Sequence, residues 1–130
     1  DSNSGSIIMK NNFPILINPI IINDILFLVS KKNFLISLDL NKEEIIYSYD
    51  INKKISEFLK IKRKNADFKN IMMVDGKLLL FLQNSHTLVF DTRGTLEKVN
   101  KLPAKMATFP ILIKNKILFL DKKNKLTIVN

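Results

Sequence analysis

The stretch PIIINDILFLVSKKNFLISLD, which runs from Pro19 to Asp39, decides the fold of this protein. It contains three short runs rich in Ile, Leu, Val and Phe, and polar turn residues such as Asn23 and Asp24 separate the runs. Short β-prone runs divided by two to four turn residues are typical of an antiparallel meander. The stretch therefore predicts three consecutive, hydrogen-bonded strands.

The same pattern of apolar runs and polar turns occurs twice more along the chain. PILIKNKILFLDKKNKLTIVN, from Pro110 to Asn130, repeats the order of runs and turns. A more diverged copy extends from Ile71 to Asp91 and contains Asp75-Gly76, the strongest hairpin signal in the chain. A further β-prone segment follows the first copy at residues 44–50. Similar segments follow the middle copy at 94–98 and open the chain at 5–10, so each complete unit is predicted to hold four strands.

The spacing of the copies indicates the architecture. Equivalent positions at Leu79 and Ile117 lie 38 residues apart, whereas Ile25 and Leu79 lie 54 apart, which indicates an insertion of 16 residues. Repeats of about 40 residues that each hold about four strands are typical of β-propeller blades. The physical reason for repetition is that one thin sheet cannot bury both of its faces, whereas stacked sheets cover one another.

We therefore predict an all-β fold of about three propeller blades, each a four-stranded antiparallel meander. Closed propellers usually have about four to eight blades, so we expect these to be part of a larger propeller. We treat residues 1–130 as a single partial β-propeller domain with the following parts: the last strand of a preceding blade at 1–12, a blade at 13–51, a blade with a basic insertion (52–69) at 52–102, and a final partial blade at 103–130.

Composition excludes some functions and disfavours others. The 130 residues are 46% hydrophobic, carry a formal net charge of +9, and include no cysteine, so disulfides and cysteine nucleophiles are excluded. Only Arg63 and Arg93 among the 21 basic residues are arginine, and the lysines are scattered through predicted turns. Dispersed lysine lacks the bidentate contacts that usually read bases, so we expect no nucleic-acid partner.

The sequence shows no constellation of catalytic residues. His86 is the only histidine and lies in a predicted turn, so we interpret it as a turn residue rather than a metal ligand or the base of a triad. Asp39, Asp91 and Asp121 recur at the ends of equivalent runs, where short carboxylates accept hydrogen bonds from nearby backbone N–H groups. We expect no metal, no cofactor and no enzymatic activity.

Two further sets of residues are assigned by position. Phe27, Phe81 and Phe119 occupy matching places in the three copies, which predicts core residues. In the insertion, Ile55, Phe58, Leu59 and Ile61 suit one or two short helical turns. The insertion is interpreted first as a solvated connector. The alternative is a partner-contact loop, because insertions in repeat proteins often lie on the functional face. The residues of that candidate loop are Lys60, Lys62, Arg63 and Lys64.

The segment Leu35–Tyr47 resembles the repeat of pyrroloquinoline-quinone-type (PQQ-type) β-propellers. In that family each blade ends with an aspartate, a short turn that usually contains glycine, two aliphatic residues and a tryptophan. These places are taken here by Asp39, Glu43, Ile45, Ile46 and Tyr47. In the next unit Asp91 and Gly94 match, with Lys98 near the aromatic place. The leading segment matches at Gly5, Ile7 and Ile8, with Met9 in the aromatic place. Because the chain has no tryptophan, Tyr47 and Met9 are expected to fill the gap between neighbouring blades.

Within this superfamily the chain is most similar to the C-terminal blades of BamB-like outer-membrane assembly lipoproteins. The resemblance implies a non-catalytic, eight-bladed scaffold at the periplasmic face of the bacterial outer membrane. Its partner would be a subunit of the β-barrel assembly complex, and its only membrane attachment would be a lipid anchor upstream of this sequence. Two alternatives stay open: a fragment of a PQQ-dependent dehydrogenase, which would need calcium ligands and a stacking tryptophan, and a cytoplasmic or basic interaction propeller.

Overall fold

The computed structural model of the chain describes residues 17–63 and 65–130. Within these ranges the chain forms eleven β-strands and one α-helix, arranged as three separate antiparallel sheets. The all-β prediction is therefore confirmed. The strand predicted within 1–12, with Met9 in it, and the predicted contact residue Lys64 lie outside the described residues.

The first sheet is the meander predicted from the opening stretch. Its strands follow one another in space as they do in sequence. The turn between the first two strands has a positive φ at both Asn23 (49°) and Asp24 (64°), which is the backbone of a tight hairpin turn and suits Asn and Asp. The four strands are β1 (Ile20–Ile22), β2 (Ile25–Val29), β3 (Phe34–Asp39) and β4 (Glu44–Asp50).

One helix, α1 (Ile51–Leu59), follows the first sheet directly. The Asp50 side chain caps its N-terminus by accepting a hydrogen bond from the Lys53 backbone N–H at 3.2 Å. The Ile51 side chain is fully buried, which fixes the helix to the sheets. The helix ends at Lys60, whose left-handed backbone (φ 55°) stops the helical turn. The one or two turns expected in the insertion are thus a nine-residue helix, but Ile61 lies outside it because the left-handed backbone at Lys60 ends the helix before that residue.

The second sheet repeats the first. Both sheets carry a β-bulge in the fourth strand, where Ile46 is the extra residue opposite Ser37 and Leu38 in one sheet and Glu97 is the extra residue opposite Val89 and Phe90 in the other. In each sheet the residues opposite the bulge come just before the recurring aspartate, so the repeat in sequence is also a repeat in backbone geometry. The strands are β5 (Phe68–Val74), β6 (Lys77–Leu82), β7 (His86–Phe90) and β8 (Leu96–Lys101).

The third sheet has three strands in the part of the chain that the structure describes. They are β9 (Ile111–Ile113), β10 (Lys116–Leu120) and β11 (Leu126–Val129), with β10 in the middle. The final copy of the sequence repeat therefore forms the same antiparallel meander as the first two copies.

The sheets pack face against face through side chains at repeat-equivalent positions. Phe27 belongs to a cluster that joins the first sheet to the second, and Phe81 and Phe119 belong to a cluster that joins the second sheet to the third. These three side chains are only 3%, 0% and 2% exposed, which confirms their prediction as core residues. Each sheet is thus covered by its neighbour, as expected for propeller blades.

Connections alternate between the two ends of the sheets, and one end collects the polar segments. Backbone N–H groups of Ile51 and Gln83 donate to the carbonyl oxygens of Asn33 (2.9 Å) and Asp67 (2.8 Å), respectively. The first bond joins the start of α1 to the β2–β3 turn, and the second joins the β6–β7 turn to the connector into β5. We call this end the helix face; it consists of 30–33, α1, 60–63, 65–67 and 83–85.

Candidate partner-binding surface

The helix face carries several exposed basic side chains. Lys31 and Lys32, in the β2–β3 turn, are exposed beside the connector. With Asn65, Asp67 and Gln83 they border a shallow polar depression of about 930 Å³. Sequence reasoning did not connect these two lysines with the insertion. The meander topology could have shown this connection. In a meander every second connection lies at the same end of the sheet, so the β2–β3 turn and the segment after β4 are neighbours.

The predicted contact residues have different surroundings. Lys60 is exposed and forms the C-terminal cap of α1. Lys62 is exposed and borders a narrow cleft between α1 and the second sheet. The Arg63 guanidinium forms an ion pair with the Asp50 carboxylate, so its charge is partly engaged within the chain. Their role in binding a partner stays a prediction.

The connector after α1 is held in place by a residue that sequence reasoning missed. Asn52 is buried, with an exposed fraction of only 5%. Its Oδ1 accepts a hydrogen bond from the Ala66 backbone N–H at 3.0 Å, and its Nδ2 donates to Asn65 Oδ1 at 3.4 Å. Asn33 Nδ2 adds a bond to the Ala66 carbonyl oxygen at 3.2 Å. The connector is therefore fixed to both the helix and the β2–β3 turn.

A narrow cleft lies between α1 and the second sheet, and we call it the helix cleft. Its volume is about 280 Å³. One wall is helical, with Ile55 and Leu59, and the opposite wall comes from the second sheet, with Leu88 and Val99. Polar and charged groups stand at its border, among them Lys62, Asn84 and His86. The cleft thus combines an apolar interior with a partly cationic rim.

The boundary between the first two sheets is filled by a tyrosine, as expected from the resemblance. The Tyr47 ring is buried and stacks on Tyr49 with ring centres 4.9 Å apart. Its hydroxyl donates a hydrogen bond to the Thr92 carbonyl oxygen at 3.1 Å. Burial, the nearby Asp91 charge and Tyr49 raise the pKa of Tyr47 to about 12, because each disfavours the phenolate. The prediction that Tyr47 fills the gap between blades is confirmed.

The recurring aspartates organise turns, as predicted. Asp91 Oδ1 accepts hydrogen bonds from the backbone N–H groups of Arg93 and Thr95, both at 2.9 Å. Burial raises the pKa of the Asp91 carboxyl, but these two bonds and the Arg93 charge outweigh it, so the pKa lies below its ordinary value. Asp39 and Asp121 make equivalent bonds to the N–H groups of Asn41, Lys42, Lys123 and Lys125.

His86 is the first residue of β7 rather than a turn residue, because the turn before it ends at Ser85 (φ 70°). Its ring Nδ1 lies 3.0 Å from Asn84 Oδ1.

Residues 17–63 and 65–130 contain no group of three or more His, Cys, Asp or Glu side chains placed to hold a metal ion. The helix in this part of the chain is too short and too polar to span a bilayer.

Stacked four-stranded meanders with an aromatic side chain between them define the described region as blades of a β-propeller. No protein-family profile matches the chain, and no curated protein matches it in sequence. Among solved structures, BamB from Moraxella catarrhalis is similar over 85% of this chain, with a TM-score of 0.62 and 9% identity. The chain spans only 30% of the length of that protein.

Two other solved propellers are similar to the chain. Quinohemoprotein alcohol dehydrogenase from Comamonas testosteroni matches over 81% of this chain and 17% of its own length, with a TM-score of 0.54 and 14% identity. The WD40 domain of SCAP from fission yeast matches over 81% of this chain and 28% of its own length, with a TM-score of 0.53 and 16% identity. The resemblance to PQQ-type propellers is thus confirmed for the fold. The total of eight blades stays a prediction.

Proposed function

We propose that this chain is part of a non-catalytic β-propeller scaffold that binds protein partners during assembly of β-barrel proteins in the bacterial outer membrane. The observation that carries the proposal is the similarity to BamB along 85% of the chain. In this proposal the partner is a subunit of the β-barrel assembly complex. The protein acts at the periplasmic face of the outer membrane and is attached there by a lipid anchor outside this sequence.

The distribution of polar groups supports a scaffold. Each recurring aspartate uses its Oδ1 to accept bonds within its own turn, as Asp39 and Asp121 illustrate. The rigid sheets present irregular segments at the helix face, where exposed lysines stand beside exposed apolar side chains such as Phe58 and Ile61. Rigid elements that carry irregular polar and apolar loops are typical of protein-interaction surfaces.

Affinity purification from a cell envelope tests the proposal. The intact protein that contains these blades is tagged, cross-linked in cells and purified, and co-purifying proteins are identified by mass spectrometry. We expect a subunit of the β-barrel assembly complex among the cross-linked partners. A control preparation carries the tag on an unrelated periplasmic protein. Purification of the intact protein without any envelope component would contradict the proposal.

A dehydrogenase is the second candidate, because quinohemoprotein alcohol dehydrogenases share the blade fold with TM-scores of 0.54 and 0.55. This function requires a stacking tryptophan and calcium ligands from parts of the propeller other than these blades, since the chain has no tryptophan. The test is to incubate the intact protein with PQQ, Ca²⁺, a primary alcohol and an electron-accepting dye. Dye reduction that depends on all of these components favours the dehydrogenase, and no reduction favours the scaffold.

A further inference from the structure

We propose that the helix cleft is a docking site for an acidic protein segment that inserts one large apolar side chain between α1 and the second sheet. This inference rests on the proposed scaffold function and specifies the chemistry of one of its partners. It differs from the sequence-based prediction, because the anchor lies in the cleft and the basic residues serve as its rim.

The size of the cleft favours a single side chain as the occupant. Sites for drug-sized ligands usually enclose about 300–1,000 Å³. The helix cleft encloses about 280 Å³ and is open to solvent at one side, where Leu59 and Ile61 are 42% and 50% exposed. A leucine or phenylalanine inserted there covers these two residues. Leu82 and Leu88, on the side of the cleft formed by the second sheet, are already buried.

The second argument is charge complementarity. Lys62 borders the cleft, and Lys101 lies opposite His86 in the register of β7 and β8, on the same side of the sheet. The described residues that line the cleft include no Asp or Glu. Glu57 lies two positions from both Ile55 and Leu59, so it projects from a different side of the helix. A partner that enters this rim is therefore favoured when it carries negative charge.

The same observations favour a protein over a nucleic acid. Arg63, which follows the cleft residue Lys62 in sequence, is paired with Asp50, so part of its guanidinium is already engaged and less of it is available for bidentate contacts with bases or phosphates. The walls of the cleft are aliphatic, with Ile55, Leu59 and Val99, rather than flat aromatic surfaces on which bases stack. An aliphatic slot with a lysine rim suits an apolar anchor flanked by carboxylates.

A peptide selection tests the proposal without knowledge of the natural partner. Random peptides displayed on phage are selected against the immobilised full chain, and the enriched peptides are synthesised with a fluorescent label for anisotropy titrations. We expect enriched peptides to contain Asp and Glu around one Phe, Leu or Trp, and to bind more weakly as salt increases. Enrichment of neutral or basic peptides, or no enrichment, would overturn the proposal.

Paired variants locate the binding. Leu59 lines the cleft and Phe58 does not, yet the two are neighbours on α1 with similar exposed fractions of 42% and 45%. We expect Leu59→Ser to weaken binding of a selected peptide about tenfold, because the anchor loses apolar contact area. Phe58→Ser is the matched control and is expected to change affinity less than about twofold. Equal effects of the two variants would place the peptide outside the cleft and overturn the proposal.

Charge is tested in the same way. Lys62→Glu removes a cation from the rim, whereas Lys31→Glu makes the same change on the helix face but outside the cleft. We expect only Lys62→Glu to weaken peptide binding strongly. A labelled oligothymidylate is titrated in parallel. Tighter binding of the oligonucleotide than of any selected peptide, with equal loss in both variants, would identify a nucleic-acid surface and overturn the proposal.

The two proposals can fail separately. Circular dichroism of each variant checks that the fold is retained, which we expect because Leu59 and Lys62 are exposed and belong to no core cluster. If Leu59→Ser abolishes peptide binding but the intact variant still cross-links to the assembly complex, the cleft binds a different partner. If peptides bind in the cleft but the intact protein cross-links to no envelope component, the proposed function is wrong, whereas the docking site is supported.

Discussion

The Tyr47 hydroxyl donates a hydrogen bond to the Thr92 carbonyl oxygen at 3.1 Å, and this bond crosses from the first sheet to the second. Two residues further along, Gly94 lies under the stacked rings of Tyr47 and Tyr49. A Cβ at Gly94 would lie 2.7 Å from Tyr49 ring carbons and 3.0 Å from a Tyr47 ring carbon. The absence of a side chain at this glycine therefore allows the two blades to approach.

Replacement of Gly94 by alanine is expected to destabilise the fold by roughly 2–4 kcal/mol. The loss has two causes: alanine is strained in the left-handed backbone conformation, and its Cβ clashes with the tyrosine rings. The φ of Gly94 is +86°, which alanine rarely adopts. Urea denaturation followed by circular dichroism measures the loss. Gly76→Ala is the control, because Gly76 has a similar φ of +72° but no atom within 4 Å of the added Cβ. Equal losses in both variants would show that the contact with the tyrosines is unimportant.

The stability of the fold is expected to depend on Tyr47 at alkaline pH. Burial, the Asp91 charge and Tyr49 raise its pKa from 10.0 in the unfolded chain to about 12 in the folded chain. The folded state therefore binds more protons in this window. The contribution is fully present below pH 10 and is lost as pH rises towards about 12.

Urea denaturation of the wild type and of Tyr47→Phe at increasing pH measures this dependence. We expect the wild type to lose more of its free energy of unfolding across the window than the variant does, since phenylalanine does not ionise. At neutral pH the variant is about 1 kcal/mol less stable, because it lacks the bond to Thr92. In the Tyr49→Phe background, tyrosinate absorbance reports Tyr47 alone, since the chain has only two tyrosines. An unshifted titration there would contradict the prediction.

Asp50 is expected to stabilise both α1 and the connector that follows it. Its side chain caps the helix through the Lys53 N–H and pairs with the Arg63 guanidinium. Asp50→Ala should cost about 1 kcal/mol of stability and speed hydrogen exchange in the first turn of α1. Asp50→Asn is the matched control, because asparagine also caps helices but carries no charge. If exchange in the first turn accelerates as much in Asp50→Asn as in Asp50→Ala, the cap is not the cause.

The third sheet is expected to make the isolated chain associate with a second copy of itself. The face turned away from the second sheet carries Ile111, Ile113, Leu126 and Ile128, which are 61%, 51%, 62% and 56% exposed. The strand register places these side chains together with Leu118 on one surface. Contiguous apolar surfaces of this kind promote association.

Sedimentation velocity over a range of concentrations measures that association. We expect Ile128→Lys to shift the chain towards monomer with little loss of stability, because the residue is exposed. Ile45→Lys is the control, since Ile45 is similarly exposed (52%) but lies on β4 of the first sheet. Dissociation by both variants alike would show that the effect is general charge repulsion rather than burial of the third sheet.

The strands and turns could be predicted from the sequence because their causes are local. The β-branched runs, the Asp75-Gly76 hairpin and the recurring aspartates act within a few residues, and the structure contains all of them. The three equivalent phenylalanines were predicted as core for a similar reason, since a repeat carries its buried positions with it. His86 was placed one residue wrong because turn boundaries depend on backbone bonds across the sheet.

The candidate site was predictable only in part. The sequence pointed to the basic loop after α1, but not to its arrangement, because Arg63 pairs with Asp50 across 13 positions and Asn52 reaches Ala66 across 14. Such contacts depend on how the chain folds back on itself. The helix cleft was not anticipated for the same reason: its two walls are separated by the whole of β5 and β6.

By itself the sequence determined the repeating meander, because hydrophobic alternation and turn chemistry are set residue by residue and need no distant partner. Only the tertiary structure decided which surfaces the blades leave open. The close approach at Gly94, the helix against the second sheet and the uncovered face of the third sheet all arise from packing one blade on the next. Packing depends on the joint shape of residues far apart in sequence, and no short pattern encodes that shape.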